Sequence, residues 1–327
     1  MSRIVLITGG AGFIGYHLAR FHAGRGDRVI LLDNLFKTDG RMDEELHALL
    51  QAPGVDYRAV DLTQGPPPLG DLPPLDLVYH LAAINGTQLF YDIPYQLARA
   101  QLLMTIHLLQ ALEGRKVGAL VYASTSEVYA GCEAVGLLRI PTDEGIPVVF
   151  PQPTAVRFSY GTSKFMGEFL CAQFGRQFNV PTSIVRYHNI YGPRMGTRHV
   201  IPEFIARIRS GERPFAVYGG GETRAFCYVD DAVRATHAVA TTPACRGEIV
   251  HIGNAREEIS IGELARRLIR QAGESIEIAE RGRRDGSVSR RCPDTSKLKR
   301  LTGYEAQVDL QDGLARTLEW YTAHATV

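Results

Sequence analysis

The run Thr8-Gly9-Gly10-Ala11-Gly12-Phe13-Ile14-Gly15 limits what this chain can fold into more than any other stretch. It follows a short β-branched segment, Arg3 to Thr8, and opens an apolar pattern of helical period from Gly12 to Arg25. Glycines at 9, 12 and 15 let a backbone turn tightly out of a strand, approach a ligand, and pack a helix against that strand. The first segment is continuously apolar rather than alternating, so both its faces are buried, as in a parallel sheet covered on two sides. The same alternation continues along the chain. Strands are expected at Arg28–Asp33, Asp56–Val60, Asp76–His80, Ala119–Ala123 and Thr182–Arg186, with helical patterns between them. This is an α/β chain with a doubly wound parallel sheet.

Leu97, Leu102, Leu103, Ile106, Leu109 and Leu112 repeat at helical spacing, and a long helix is expected from about Ser159. That second helix carries Phe165, Phe169, Phe174 and Phe178, which suit either core packing or a seam between two copies. Gly65 to Pro74 and Pro141 to Pro153 are too rich in proline for a helix or central strand and read as loops. From Tyr187 the texture shifts to more Arg, Gly and Pro and shorter elements. A boundary is therefore expected there, with residues 1–186 and 187–327 as two domains and some chain exchanged between them. In the second part, Gly219 to Gly221 should feed a strand at Phe226 to Val229, and Ile261–Ala272 and Leu310–Trp320 should be amphipathic helices.

Lys and Arg number 36 against 35 Asp and Glu, so no basic face for nucleic acid or a membrane surface is expected. No apolar run approaches the ~18 residues of a membrane span. The five cysteines are scattered, without a CxxC pair or a histidine at ligand spacing, so no metal site is expected. Free thiols and the lack of a leader pattern at the start fit a soluble cytoplasmic protein.

The glycine loop acquires chemical meaning from the residues downstream of it. A helix N-terminus presents unpaired N–H groups to a pyrophosphate, and Asp33 at the end of the second strand can accept from ribose hydroxyls. A carboxylate there repels a 2′-phosphate, which favours NAD over NADP. The expected cofactor path is lined by Gly9, Gly12, Phe13, Ile14, Gly15, Asp33, Asn34, Leu62, Leu81, Ala82 and Ala83. Asp61 suits either the adenine edge or a helix cap, and His80 reads as a packed polar residue.

Tyr160 and Lys164 are four apart at a helix start, so they share a face and both border the same path. A neighbouring ammonium and a positive nicotinamide ring are expected to lower the phenol by roughly 2–3 units, making it a base for a sugar hydroxyl. Upstream, Ser124-Thr125-Ser126-Glu127-Val128-Tyr129 ends the fifth strand, where ligands bind in open α/β sheets. A hydroxyl there can bridge a substrate oxygen and Tyr160. Glu127 suits two roles, removal of a C5 proton from a 4-keto sugar or a hydrogen bond to a hydroxyl.

These motifs together resemble the extended short-chain dehydrogenase/reductase superfamily, and within it the NAD-dependent nucleotide-sugar epimerase/dehydratase family, over nearly the whole chain. The resemblance implies a Rossmann-type sheet with a smaller C-terminal α/β substrate domain, a nucleotide-diphosphate sugar as substrate, and a homodimer. It implies Thr125, Tyr160 and Lys164 as catalytic residues and Ser126 beside the sugar. Arg186-Tyr187-His188-Asn189-Ile190-Tyr191-Gly192-Pro193-Arg194 is similar to the family's sugar-diphosphate segment, which assigns Asn189 to it. Gly219 to Asp231 is similar to its phosphate-binding stretch, which assigns Arg224, and Arg284 occupies a further such place. The quartet ending in Glu127 is closest to members that dehydrate or decarboxylate after C4 oxidation. Departures are Ala130 where Gly is usual, His188 where Phe is usual, Ser126 where dehydratases carry Asp, and the insertion Met195 to His199. Two other readings are a 4-keto-sugar or ketone reductase using external NADPH and a dinucleotide-sensing regulator of the same fold.

Overall fold

The computed structural model describes residues 2–283 and 288–324. Seven strands form a parallel sheet in the order β11-β6-β5-β4-β1-β2-β3. They are β1 (Ile4–Thr8), β2 (Arg28–Asp33), β3 (Val55–Ala59), β4 (Leu75–His80), β5 (Val117–Thr125), β6 (Thr182–Tyr187) and β11 (Ile249–Ile252). The chain winds from β1 outward through β2 and β3, then crosses back to lay β4 on the other side of β1. The order reverses there, and ligands of such sheets bind at this switch point.

Alternate residues of each strand serve opposite faces, which accounts for the continuous apolar runs. Leu6, Ile30, Val78 and Leu120 face a core completed by α4 (Pro94–Leu112) and α6 (Ser159–Phe178). Val5, Leu31, Tyr79 and Val121 face the opposite core, which runs without a break into the second part of the chain through Phe204, Phe215, Leu264 and Leu314. α1 (Phe13–Ala23), α2 (Glu44–Leu50) and α8 (Val229–Thr241) cover that side. The short helices α3 (Thr87–Asp92) and α5 (Ala130–Ala134) follow β4 and β5.

Beyond residue 187 the chain crosses back into the first unit. β11 joins the sheet beside β6, and α8 packs against α1. The remainder is built from α7 (Val200–Arg209), α9 (Ile261–Gln271), α10 (Ser296–Thr302) and α11 (Leu310–Ala323). Its strands are short: β7 (Ile190–Tyr191) with β10 (Cys227–Tyr228), β8 (Phe215–Tyr218) with β13 (Ile278–Arg281), and β9 (Thr223–Ala225) between β12 (Glu258–Ser260) and β14 (Arg290–Arg291). The strand expected at Phe226–Val229 is shorter, because Val229 already starts α8. The buried apolar positions of that helix are shared between valine (Val229, Val233, Val239) and alanine (Ala232, Ala235, Ala240). Ser260 caps α9 by accepting from the Glu263 N–H at 3.1 Å.

The phenylalanines of α6 divide. Phe174 is buried against the sheet, whereas Phe169 is 54% exposed. The five cysteines are free and buried, and among the described residues no cluster of His, Cys, Asp and Glu is placed to hold a metal ion. No helix among those residues is long and apolar enough to cross a membrane.

Candidate active site

The loop between β1 and α1 is closed by glycine. Gly9 has φ +68°, and a Cβ there would lie 2.8 Å from the Ala82 nitrogen. A Cβ on Gly15 would sit 2.1 Å from the Gly9 carbonyl oxygen, so only glycine lets α1 press against the turn. No side chain caps α1, which leaves its first N–H groups facing the groove above β1. Asp33 braces this loop: its carboxylate accepts from the Ala11 N–H at 3.0 Å and the Leu35 N–H at 2.8 Å.

Every residue expected along the cofactor path lines one groove: Gly9, Gly12, Phe13, Ile14, Gly15, Asp33, Asn34, Asp61, Leu62, Leu81, Ala82, Ala83, Tyr160 and Lys164. Asp61 accepts from both the N–H (2.8 Å) and hydroxyl (2.7 Å) of Thr63, so it caps its own turn while facing the groove. Asn34 likewise accepts from the Phe36 N–H at 3.1 Å. His80 is packed between Thr8 (2.7 Å) and Thr105 (3.1 Å), and burial holds it neutral at about 3. The glycine cradle, the open helix terminus and the carboxylate at the end of β2 fit a dinucleotide such as NAD.

Tyr160 and Lys164 stand on the first turns of α6, where Tyr160 stacks on Phe90 with centroids 4.9 Å apart. Lys164 donates to the Ala123 carbonyl at 2.8 Å and lies over the Tyr122 ring. Burial lowers its ammonium to about 8. The expected lowering of the Tyr160 phenol does not arise from the chain itself. Burial raises it, the Glu127 carboxylate raises it further, and a hydrogen bond with Thr125 only partly offsets them. The physical reason is desolvation: the packed interior disfavours the phenolate, and the Lys164 ammonium donates to the Ala123 carbonyl. Thr125 also caps the turn that follows β5, its hydroxyl accepting from the Glu127 N–H at 3.2 Å.

Glu127 has an environment no motif announced. Its carboxylate lies 2.7 Å from the Arg157 guanidinium and 2.7 Å from that of Arg291. Burial alone would raise the acid, but Arg291 and Arg157 outweigh it and hold it at about 2. Glu127 is therefore an anion and not a proton donor at neutral pH. Behind this loop, Glu168 is bidentate to the buried Arg186 (2.8 and 2.6 Å) and accepts from the Ser124 hydroxyl at 2.5 Å. Arg186 also donates to the Tyr129 oxygen at 2.5 Å, so both ends of the Ser124–Tyr129 segment are tied to one ion pair.

Asn189 and Arg224 meet in a second cavity with Arg198, Glu203, Tyr218, Glu222 and Phe226. Asn189 has φ +43° and donates to the Ala225 carbonyl at 3.1 Å. Arg224 pairs with Glu222 at 3.1 Å; burial, with Arg291 adding to it, lowers the guanidinium to about 10. Ser126 is buried and lines a separate small cavity with His188 and Arg291. Arg284 lies outside the described residues. Nothing in the sequence marks Arg157 or Arg291 for this site: Arg157 precedes α6 without periodicity, and Arg291 sits in a basic stretch that also suits a solvated loop.

Residues 5–253 match the model of the NAD dependent epimerase/dehydratase family. The chain is 35% identical to UDP-N-acetyl-alpha-D-glucosaminuronate decarboxylase of Bacillus cytotoxicus over 332 residues, 98% of each chain. It is 32% identical to UDP-glucuronic acid decarboxylase 3 of Arabidopsis thaliana, covering 95% of this chain and 86% of that one. Among solved structures it is similar to UDP-glucuronic acid 4-epimerase from Bacillus cereus in complex with UDP-glucuronic acid and NAD. The TM-score is 0.83 at 27% identity, with 98% and 99% of the two chains covered.

Proposed function

The chain belongs to the NAD-dependent epimerase/dehydratase family, and from that premise we propose that it decarboxylates a UDP-linked uronic acid through a transient C4 ketone. The observation that carries this reading is the Arg157–Glu127–Arg291 cluster beside Tyr160. Two guanidiniums converge on one carboxylate there, in a largely enclosed site. Guanidiniums match the geometry of carboxylates, and a substrate carboxylate at C6 suits such donors.

Tyr160 takes the C4 hydroxyl proton, with the Thr125 hydroxyl linking phenol and sugar oxygen and Lys164 supplying positive charge behind them. NAD, held along the groove by the glycine loop, Asp33 and Lys164, would supply the acceptor and donor of the C4 hydride and a positive ring beside the phenolate. With a ketone at C4, the carboxylate is β to a carbonyl. The C5–C6 bond breaks, carbon dioxide leaves, and the electron pair becomes a C4–C5 enolate that takes a proton from water at C5; when hydride returns to C4, Tyr160 gives its proton back to the C4 oxygen. Arg157 and Arg291 orient the departing carboxylate, while the Glu127 anion keeps them from neutralising it fully. Asn189 and Arg224 bind the diphosphate, with Ser126 near the sugar.

The test incubates the purified enzyme with UDP-glucuronate and its 2-acetamido analogue, without added coenzyme, and follows product mass and carbon dioxide. Loss of carbon dioxide is expected. An isomer of unchanged mass would replace this reading by 4-epimerisation, and turnover that consumes NADH or NADPH would refute the internal redox cycle. The exposed Met166 and Phe169 on α6 and Tyr95 on α4 support a homodimer joined through these helices. Light scattering should give a dimer mass, and a monomer would remove this part of the proposal.

A further inference from the structure

The segments leaving β2 and β4 flank the glycine loop, because β1 lies between those strands in the sheet. They are two strand spacings apart, about 10 Å. One side chain bridges them: the Lys37 ammonium, on the loop after β2, donates to the Asn85 amide oxygen after β4 at 2.5 Å. The bridge therefore spans the end of β1, and both of its residues line the same groove as Gly12 to Gly15 at the uncapped N-terminus of α1. Lys37 as a residue is exposed, yet its ammonium is surrounded by protein, which lowers it, with Asp33 pulling the other way. Burial lowers both Lys164 and His199, and the Lys37 charge adds to that lowering in each. Among the described residues no carboxylate forms an ion pair with it. A cation in that position lacks an anion, and the diphosphate of a dinucleotide laid over the glycine loop supplies one.

We propose that Lys37 is a clasp for the coenzyme, binding the NAD diphosphate from the side opposite the α1 N-terminus and slowing its release. The inference rests on NAD as the cofactor and is independent of which sugar is turned over. Its value to the cycle follows from the chemistry: hydride must return to the same sugar, so coenzyme lost in mid-cycle strands a ketone. The β2 loop suits a movable clasp, since Phe36, Lys37, Thr38 and Asp39 are exposed around a single short turn.

The experiment loads full-length enzyme with labelled NAD, removes the excess, and follows release into unlabelled NAD for the native chain, Lys37→Met, Lys37→Arg and Asn85→Ala. A charge-assisted hydrogen bond lost from the diphosphate should speed release in Lys37→Met by about tenfold to a hundredfold. Lys37→Arg should return it close to the native rate, and added salt should speed release of the native enzyme more than of Lys37→Met. Asn85→Ala should have the smaller effect, since the ammonium turns to the diphosphate when NAD is bound. Melting temperatures of the coenzyme-free proteins should agree closely, as only the single hydrogen bond between Lys37 and Asn85 is lost. Unchanged release in Lys37→Met overturns the proposal. If KM for the UDP-sugar then rises instead, the lysine serves the substrate; if nothing changes, it is a solvated surface charge.

Discussion

Glu127→Gln removes one negative charge from between two guanidiniums and changes almost nothing else in shape. The carboxyl is lowered from 4.5 to about 2, which is about 3 kcal/mol of preferential stabilisation of the anion in the folded state. The sign follows from linkage: a depressed carboxyl stabilises the fold above its unfolded value of 4.5, and that contribution is lost as pH falls towards 2. At neutral pH the variant therefore loses up to about 3 kcal/mol, and for a chain of this length the melting temperature should fall by about 4 °C. The gap to the native protein should narrow in acid. In catalysis the amide no longer holds Arg157 and Arg291, so they pair fully with a substrate carboxylate and oppose its departure. The expected signature is an unchanged or lower KM for UDP-glucuronate with kcat reduced by about a hundredfold or more, followed by carbon dioxide release. A variant that melts at the native temperature and releases carbon dioxide at the native rate would refute the role given to this cluster.

Tyr160→Phe should abolish turnover while NAD stays bound at native stoichiometry; a substantial residual rate would point to another base. Because burial places the Lys164 ammonium at about 8, kcat/KM should decline as pH rises through that value and the ammonium is lost, and Lys164→Arg should flatten the decline. A native profile without an inflection near about 8 would detach Lys164 from catalysis. Gly15→Ala puts a methyl 2.1 Å from the Gly9 carbonyl, so the purified protein should carry little or no NAD; full coenzyme content would contradict the tight approach of α1.

The features legible in the sequence are those set by short-range sterics. Only glycine allows the turn at Gly9 and the approach at Gly15, and the β-branched run before them suits a strand buried on two faces. The four-residue spacing of Tyr160 and Lys164 fixes their common helix face wherever that helix ends up. Asp33 is legible for the same reason, since the end of β2 is a local landmark. The tertiary structure alone decided who meets whom. Glu127 joins Arg157 and Arg291, Lys37 reaches Asn85, and β11 crosses from the far part of the chain to complete the sheet. These contacts depend on the path of the whole chain and leave no periodicity behind. The electrostatic state of the site belongs to the same class. A phenol and an ammonium side by side read as a ready base, but burial raises Tyr160 and turns Lys164 to a carbonyl, because desolvation is a property of the packed interior and not of the residues taken singly.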